Sequence, residues 1–459
     1  TRGETIRGIA LTGGRIATGV AGIAGAAIVA AGIGLVPWPA FSVVPPAVTV
    51  APSAARQQLV CSGGFQTVGA DSADVNAISV VGDARVLRSE GTETELLPES
   101  SGQQNSGGVV LTAPAEAAPL VATQVQKIAS ETAAGVVSSP CVPATAESWL
   151  VGGSTALGNT SVLVLSNPSE VDATVRLELF GADGPIQAQG LGGIRVEPGR
   201  QVSVPLAGFA PNETRPVVHV VSVGARVVAQ IDTAMVNGIT LAGADTIAPS
   251  LPPATELVIP GLVVDASISA AESGEGADRA ATVRLLAPSQ DATVSVRVVG
   301  DVRSVEKDLS VDVSAGEVVD VALTDLPSGN YSVFVSSTAP VVAAAQSALA
   351  TPEGIDFAWF APTTPLGDTA VIPVVDGGTA LIHLSNPTAD EVRVRIADGP
   401  AVTVPAGGST SVGLAVGLQR LSNTAGLYAS VSLTGPGAFA SSAVLGPQPL
   451  VGSLAVYTR

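Results

Sequence analysis

The sequence predicts an all-β body of tandem immunoglobulin-like β-sandwich modules, set behind a single N-terminal transmembrane helix. Three observations carry that reading. Val and Thr recur in short runs that alternate apolar with polar residues, a pattern suited to a pleated, half-buried surface. Pro and Gly punctuate those runs as turn residues. Similar strand–turn–strand segments return at intervals of about a hundred residues, the size of a sandwich domain.

The membrane segment comes first along the chain. Residues 16–36 (IATGVAGIAGAAIVAAGIGLV) carry no charge. At ~1.5 Å per residue a helix of this length spans roughly 31 Å, against a hydrocarbon core of about 30 Å. Arg2, Arg7 and Arg15 precede it with Glu4 as the single acid, and no charge follows until Arg56. The positive-inside rule therefore places residues 1–15 in the cytoplasm and everything after residue 36 outside the plasma membrane. Trp38 falls at the lipid–water interface. A cleaved signal peptide is the competing reading, although its apolar stretch is usually about 7–15 residues. Gly22, Ala26, Ala30 and Gly34 share one face of the helix, and small residues at that spacing let two transmembrane backbones approach closely. The partner expected there, within the lipid bilayer, is another membrane protein or a second copy; the plain alternative is that Gly and Ala are abundant throughout.

Residues 37–55 are Pro-rich and uncharged, which reads as an extended spacer. Cys61 and Cys141 are the only cysteines. An even count in an oxidising compartment favours a bond between them. Closing a loop of about 80 residues stabilises by roughly 4 kcal/mol in the chain-entropy model.

Beyond the spacer the repeats divide the body into residues 56–147, a degenerate first module closed by the disulfide, and three fuller modules at 148–250, 251–360 and 361–459. Residues 162–169 (VLVLSNPS), 283–289 (VRLLAPS) and 381–388 (LIHLSNPT) each read as an apolar strand ending at Pro. A second alternating strand follows each, at 173–180, 292–299 and 392–396. Next comes an expected hairpin about a Gly turn, at 195–206, 310–323 and 403–414. The modules close on small-residue segments ending at Ala122, Ala229, Ala343 and Ala440. A β-propeller is the structural alternative, since eight short strands also make two blades. Trp149 and Trp359 fall at similar points, which suggests plugs at the joints between modules, or else sugar-stacking platforms.

Composition excludes some functions. Charged residues make up 13% of the chain, against roughly 25% in an average soluble protein, and the net charge is −18. A nucleic-acid surface needs clustered Lys and Arg, and with this acidic balance and Lys only at Lys127 and Lys307 nucleic-acid binding is not expected. His219 and His383, the only histidines, sit in strand-like runs and read as packed residues rather than general bases. No G-x-S-x-G pattern supplies a nucleophile. The glycines of residues 151–158 (VGGSTALG) precede a strand, whereas a phosphate loop runs into a helix. Asp71, Asp74 and Asn76 lack the Gly and terminal Glu of a calcium loop. No catalytic residue, cofactor or metal is expected, and the chain reads as non-enzymatic.

The N-terminal span, LVCSGGF at 59–65, PCVPATAESWLVGG at 140–153 and VLVLSNPSEVDATVRLELFG at 162–181 together resemble a family of uncharacterised actinobacterial envelope proteins. The resemblance implies a membrane-anchored, β-rich body associated with cell-envelope glycan assembly, beside a membrane glycosyltransferase as partner. It transfers no functional residues. The function expected is a scaffold or accessory subunit of such a complex; a surface-displayed glycan-binding or adhesive protein is the alternative.

Overall fold

The computed structural model describes residues 47–50, 56–69, 77–98, 107–269, 281–301, 306–351, 354–446 and 454–457. The expected span at 16–36, its face of Gly22, Ala26, Ala30 and Gly34, and the acidic segment at Asp71–Asn76 lie outside them. Among the described residues no helix is long and apolar enough to cross a membrane. Strands Ala47–Val50 and Leu454–Tyr457 pair antiparallel in a small unit of their own, so part of the expected spacer is a strand. Residues 54–450 form the second unit, described from here on.

That unit is built almost wholly of strands, as the alternating runs predict. In the module at 148–250, one sheet orders Glu147–Val151, Val217–Val223 and Ala173–Gly181 side by side. The other orders Thr240–Ile247, Val228–Asn237, Asn159–Ser166 and Arg200–Pro205. Alternation sets which side is buried: Val175, Leu177 and Leu179 point inward while Thr174 and Arg176 point out. They meet Leu163, Leu165, Val204, Ala229 and Ile231 of the facing sheet in one core. Each Val, Leu or Ile among them contributes about 1.5–3 kcal/mol on burial.

The sandwich expectation holds, with one difference from the immunoglobulin order. There the first strand borders the second and the last borders the sixth. Here those edges are exchanged. Glu147–Val151 lies beside Val217–Val223, and the closing pair extends the sheet of Asn159–Ser166. The module at 361–459 repeats this order strand for strand. In the module at 251–360 a single strand, Gly329–Thr351, serves both sheets: its first part pairs with Ala254–Val264 and Ala292–Gly300, its second with Thr282–Leu286 and Gly354–Phe360. Tyr331 there donates its hydroxyl to the Pro327 carbonyl at 2.7 Å, the tyrosine corner of immunoglobulin-type sandwiches. The first module keeps two three-strand remnants of the same order, and the Cys61–Cys141 bond (S–S 2.04 Å) ties the end of its first strand to the residue after its last.

Three sequence readings need correction. The expected hairpins about Gly199, Gly316 and Gly407 are corners. Ile194–Val196 pairs with Ala173–Gly181 in one sheet while Arg200–Pro205 pairs with Asn159–Ser166 in the other, and the later modules repeat this. Each corner Gly has positive φ (+64°, +81° and +59°), the conformation a β-carbon disfavours. The second correction concerns the closing repeats, where Ala429, not Ala440, is the fourth equivalent. Leu165, Leu285 and Leu384 oppose Ala229, Ala343 and Ala429. The third is that Trp149 and Trp359 are not equivalent: Trp149 lies in its module's first strand, Trp359 in the last strand of the next module.

Around these modules a ring closes. The last strand of each is Ala134–Pro140, Thr240–Ile247, Gly354–Phe360 or Ala438–Val444. The first of these packs against the second and fourth, and the third does the same. At the seam between the second and third modules, buried Arg284 binds Asp320 through two hydrogen bonds (2.9 and 3.0 Å) and donates to the carbonyls of Gly153 and Thr214. Its guanidinium stacks 4.9 Å from the Trp359 ring, so Trp359 does plug a joint. At the seam between fourth and first, Val125 and Val136 of the first module enter the fourth module's core, and Arg85 donates to the Asp376 carbonyl.

Candidate functional site

The chemistry-bearing side chains fall in three places. At the ring's centre, the Asp356 carboxylate accepts four backbone N–H groups: Ala244 and Phe357 at one oxygen (3.3 and 3.0 Å), Val136 and Phe439 at the other (3.3 and 3.0 Å). These donors occupy one equivalent position in the four modules. Lys127, Ala234, Ala348 and Thr434, each five residues beyond the equivalent alanines, pair with them across the closing hairpins. Gly135 and Gly243 hold the place that Asp356 occupies, and a β-carbon on either would lie 2.8 or 2.6 Å from its carboxylate. Asp245 accepts the Trp359 N–H at 2.6 Å. Asp232 accepts the Gln66 N–H (2.9 Å), the Thr246 hydroxyl (2.7 Å) and the Gln230 amide (3.2 Å).

Burial pushes the Asp232 and Asp356 carboxyls up to about 7 against those hydrogen bonds, and raises Asp245 well above the usual carboxylate range. Glycoside hydrolysis needs two carboxyls flanking an accessible bond. These three are 2% exposed or less, so they join modules and reach no substrate.

The histidines are held as the strand pattern implies. His383 is sealed between the hydroxyls of Ser411 and Ser432, both at 2.7 Å, and burial pulls its pKa down to about 4. A β-carbon on Gly261 would sit 2.7 Å from its ring, which leaves no room for a substrate. His219 lies parallel to Trp149 with centroids 4.0 Å apart, its nitrogens 2.8 Å from Glu178 and 2.9 Å from Glu147. Among the described residues no group of three or more His, Cys, Asp and Glu is placed to hold a metal ion.

The third place is an open cleft of ≈ 460 Å³ between the third and fourth modules. Its floor is the outer face of a sheet. Asp308, Arg297, Phe334 and Val258 oppose one another in one row across four strands, and Ser295, Ser336 and Glu256 make the next. Pro387 and Tyr428 of the fourth module form the wall. Arg297 stacks 4.5 Å over the Phe334 ring and donates to the Gly407 carbonyl (3.1 Å) and Glu306 (3.3 Å). Burial, with Glu256 adding to it, raises the Tyr428 pKa, so its hydroxyl stays protonated.

Sequence reasoning missed this cleft. One signal was present: in YSVFVSS, residues 331–337, Tyr331, Val333 and Val335 face the core, which leaves Phe334 as an aromatic on the outward, otherwise Ser-bearing face. Tyr428 lies far along the chain, and only tertiary packing brings it there.

A model of a family of unknown function, DUF5719, matches residues 98–415. The chain belongs to that family. The match starts at Leu97–Pro98, the two-residue strand that pairs with Arg200–Pro205 of the second module, and includes both faces of the cleft except Tyr428. No curated protein matches the chain.

Proposed function

We propose that this chain is a non-enzymatic, membrane-tethered scaffold or accessory subunit of a cell-envelope glycan-assembly complex. The observation that carries the reading is the closed ring. Four modules tied to one carboxylate keep their loops at fixed spacing, as a platform for a partner requires. The apolar segment 16–36 anchors that body in the plasma membrane with the N-terminus cytoplasmic. Its small-residue face meets a membrane partner, for which a glycosyltransferase is the class implied by the resemblance to actinobacterial envelope proteins. Crosslinking of the full chain in cells, followed by mass spectrometry, is expected to recover a membrane glycosyltransferase. Ala26→Leu with Ala30→Leu should retain the anchoring and lose that partner. A chain found crosslinked only to itself, and monomeric in detergent, overturns the reading.

A second reading, a surface-displayed glycan-binding protein, is favoured by one observation: the cleft lined by Arg297, Phe334, Glu256 and Tyr428.

A further inference from the structure

We propose that the cleft between the third and fourth modules is a binding site for a short stretch of uncharged glycan, a proposal that rests on the glycan-binding reading. The lining of the cleft fits other ligand classes poorly. A phosphate or nucleic acid would meet Glu256 and Asp308 on the same floor, in a chain of net charge −18. A cation would meet Arg297. A wholly apolar ligand would strip water from Ser295, Ser336 and Asp308 without returning hydrogen bonds. A peptide added as a strand needs an open sheet edge, but the floor is a sheet face, and the neighbouring Val258 carbonyl already accepts the Thr363 N–H at 3.0 Å.

A sugar ring satisfies what is left. Its C–H face packs on Tyr428 and Pro387. Its hydroxyls donate to the Glu256 and Asp308 carboxylates and accept from the Ser hydroxyls and the Arg297 fork. Arg297 is pre-oriented by Phe334 and the Gly407 carbonyl, so little side-chain freedom is lost on binding. Glu256 and Asp308 stand on strands three intervals apart. At ~4.8 Å per interval this is roughly 14 Å, long enough for a disaccharide. The cleft volume falls within the range of about 300–1,000 Å³ for small-ligand sites.

The test is saturation-transfer NMR on the full chain in detergent with maltose, cellobiose, lactose and mannobiose, and an acidic disaccharide in parallel. Transfer is expected to at least one neutral sugar. Tyr428→Ala should weaken binding at least tenfold. Ser295→Trp, at an exposed strand position that tolerates a large side chain, should fill the cleft and abolish binding with the melting temperature unchanged. Binding that survives Ser295→Trp overturns this site and leaves the glycan-binding reading standing. Binding of the acidic sugar alone overturns the neutral-glycan assignment. No transfer to any sugar overturns both the site and the reading.

Discussion

Asp356 receives one backbone N–H from each of the four modules, and none of those donors can turn elsewhere. Removing the carboxylate orphans all four inside the protein. A buried unsatisfied group costs about 1–3 kcal/mol, and a folded domain has only about 5–15 kcal/mol in hand. Asp356→Ala is therefore expected to lose more than about 4 kcal/mol, and urea unfolding should lose cooperativity; a variant within about 1 kcal/mol of wild type would show that the hub holds nothing. Asp232 behaves differently, because two of its three donors are the reversible Thr246 hydroxyl and Gln230 amide. Burial lifts it from 3.8 to about 7, so between those values the folded chain holds a proton that the unfolded chain has released. Its contribution is complete below the unfolded value and is lost as pH rises through about 7. The melting temperature should therefore fall from pH 5 to pH 8. Asp232→Asn, which mimics the protonated group, should make that slope shallower, the raised Asp356 and Asp245 carboxyls supplying what remains; equal slopes in the two proteins would refute the assignment.

The strand-ending SNPS and SNPT segments show an element defined by one side chain. Asn167 donates to the carbonyls of Val171 (2.8 Å) and Val196 (2.9 Å) and accepts from the Ser169 N–H (3.0 Å) and hydroxyl (2.7 Å). Asn386 repeats this with Asp390, Val404 and Thr388. Each clasps the strand end, the start of the next strand and the Gly corner together. The third module has Ala287 there, and its corner relies on the Gly316 N–H to the Ala287 carbonyl and the Ala315 N–H to Asp291. Asn167→Ala should cost about 2–4 kcal/mol in denaturant unfolding, since it orphans buried carbonyls; a cost under about 0.5 kcal/mol would refute the clasp. The motif was legible in the sequence as a strand end, but its work was not. Alternation and a Gly turn look alike whether the flanking strands pair with each other or part to opposite sheets. The same limit misplaced the fourth closing repeat, where adjacent hairpin strands carrying Ala429 and Ala440 are equally rich in small residues. Local pattern names strands; long-range register assigns them. For the cleft, the outward Phe334 was legible, whereas Tyr428 arrives from another module.

At the scale of the whole molecule, a ring of four modules is only as closed as its weakest member, and that is the first. None of its sheets has more than three strands, yet it faces two seams. Toward the second module it offers the Gln66 N–H to Asp232 and the Ser62 carbonyl to Gln201 (2.9 Å). Toward the fourth it offers Val125, Val136 and Arg85. The Cys61–Cys141 bond compensates for the small core by restricting the unfolded chain, worth up to about 4 kcal/mol for a loop of this length. Reduction should therefore open the ring locally. Hydrogen exchange of the reduced protein should rise first in Gln57–Cys61, Ala122–Ala129 and Ala134–Pro140 and at the first module's two seams. The seam around Arg284, held by a carboxylate, the carbonyls of Gly153, Thr214 and Pro216, and Trp359, should keep its protection. If protection falls uniformly in all four modules, the ring unfolds as one cooperative unit and the first module is no separate point of opening. If it falls first at the Arg284 seam, closure depends on that joint and not on the disulfide.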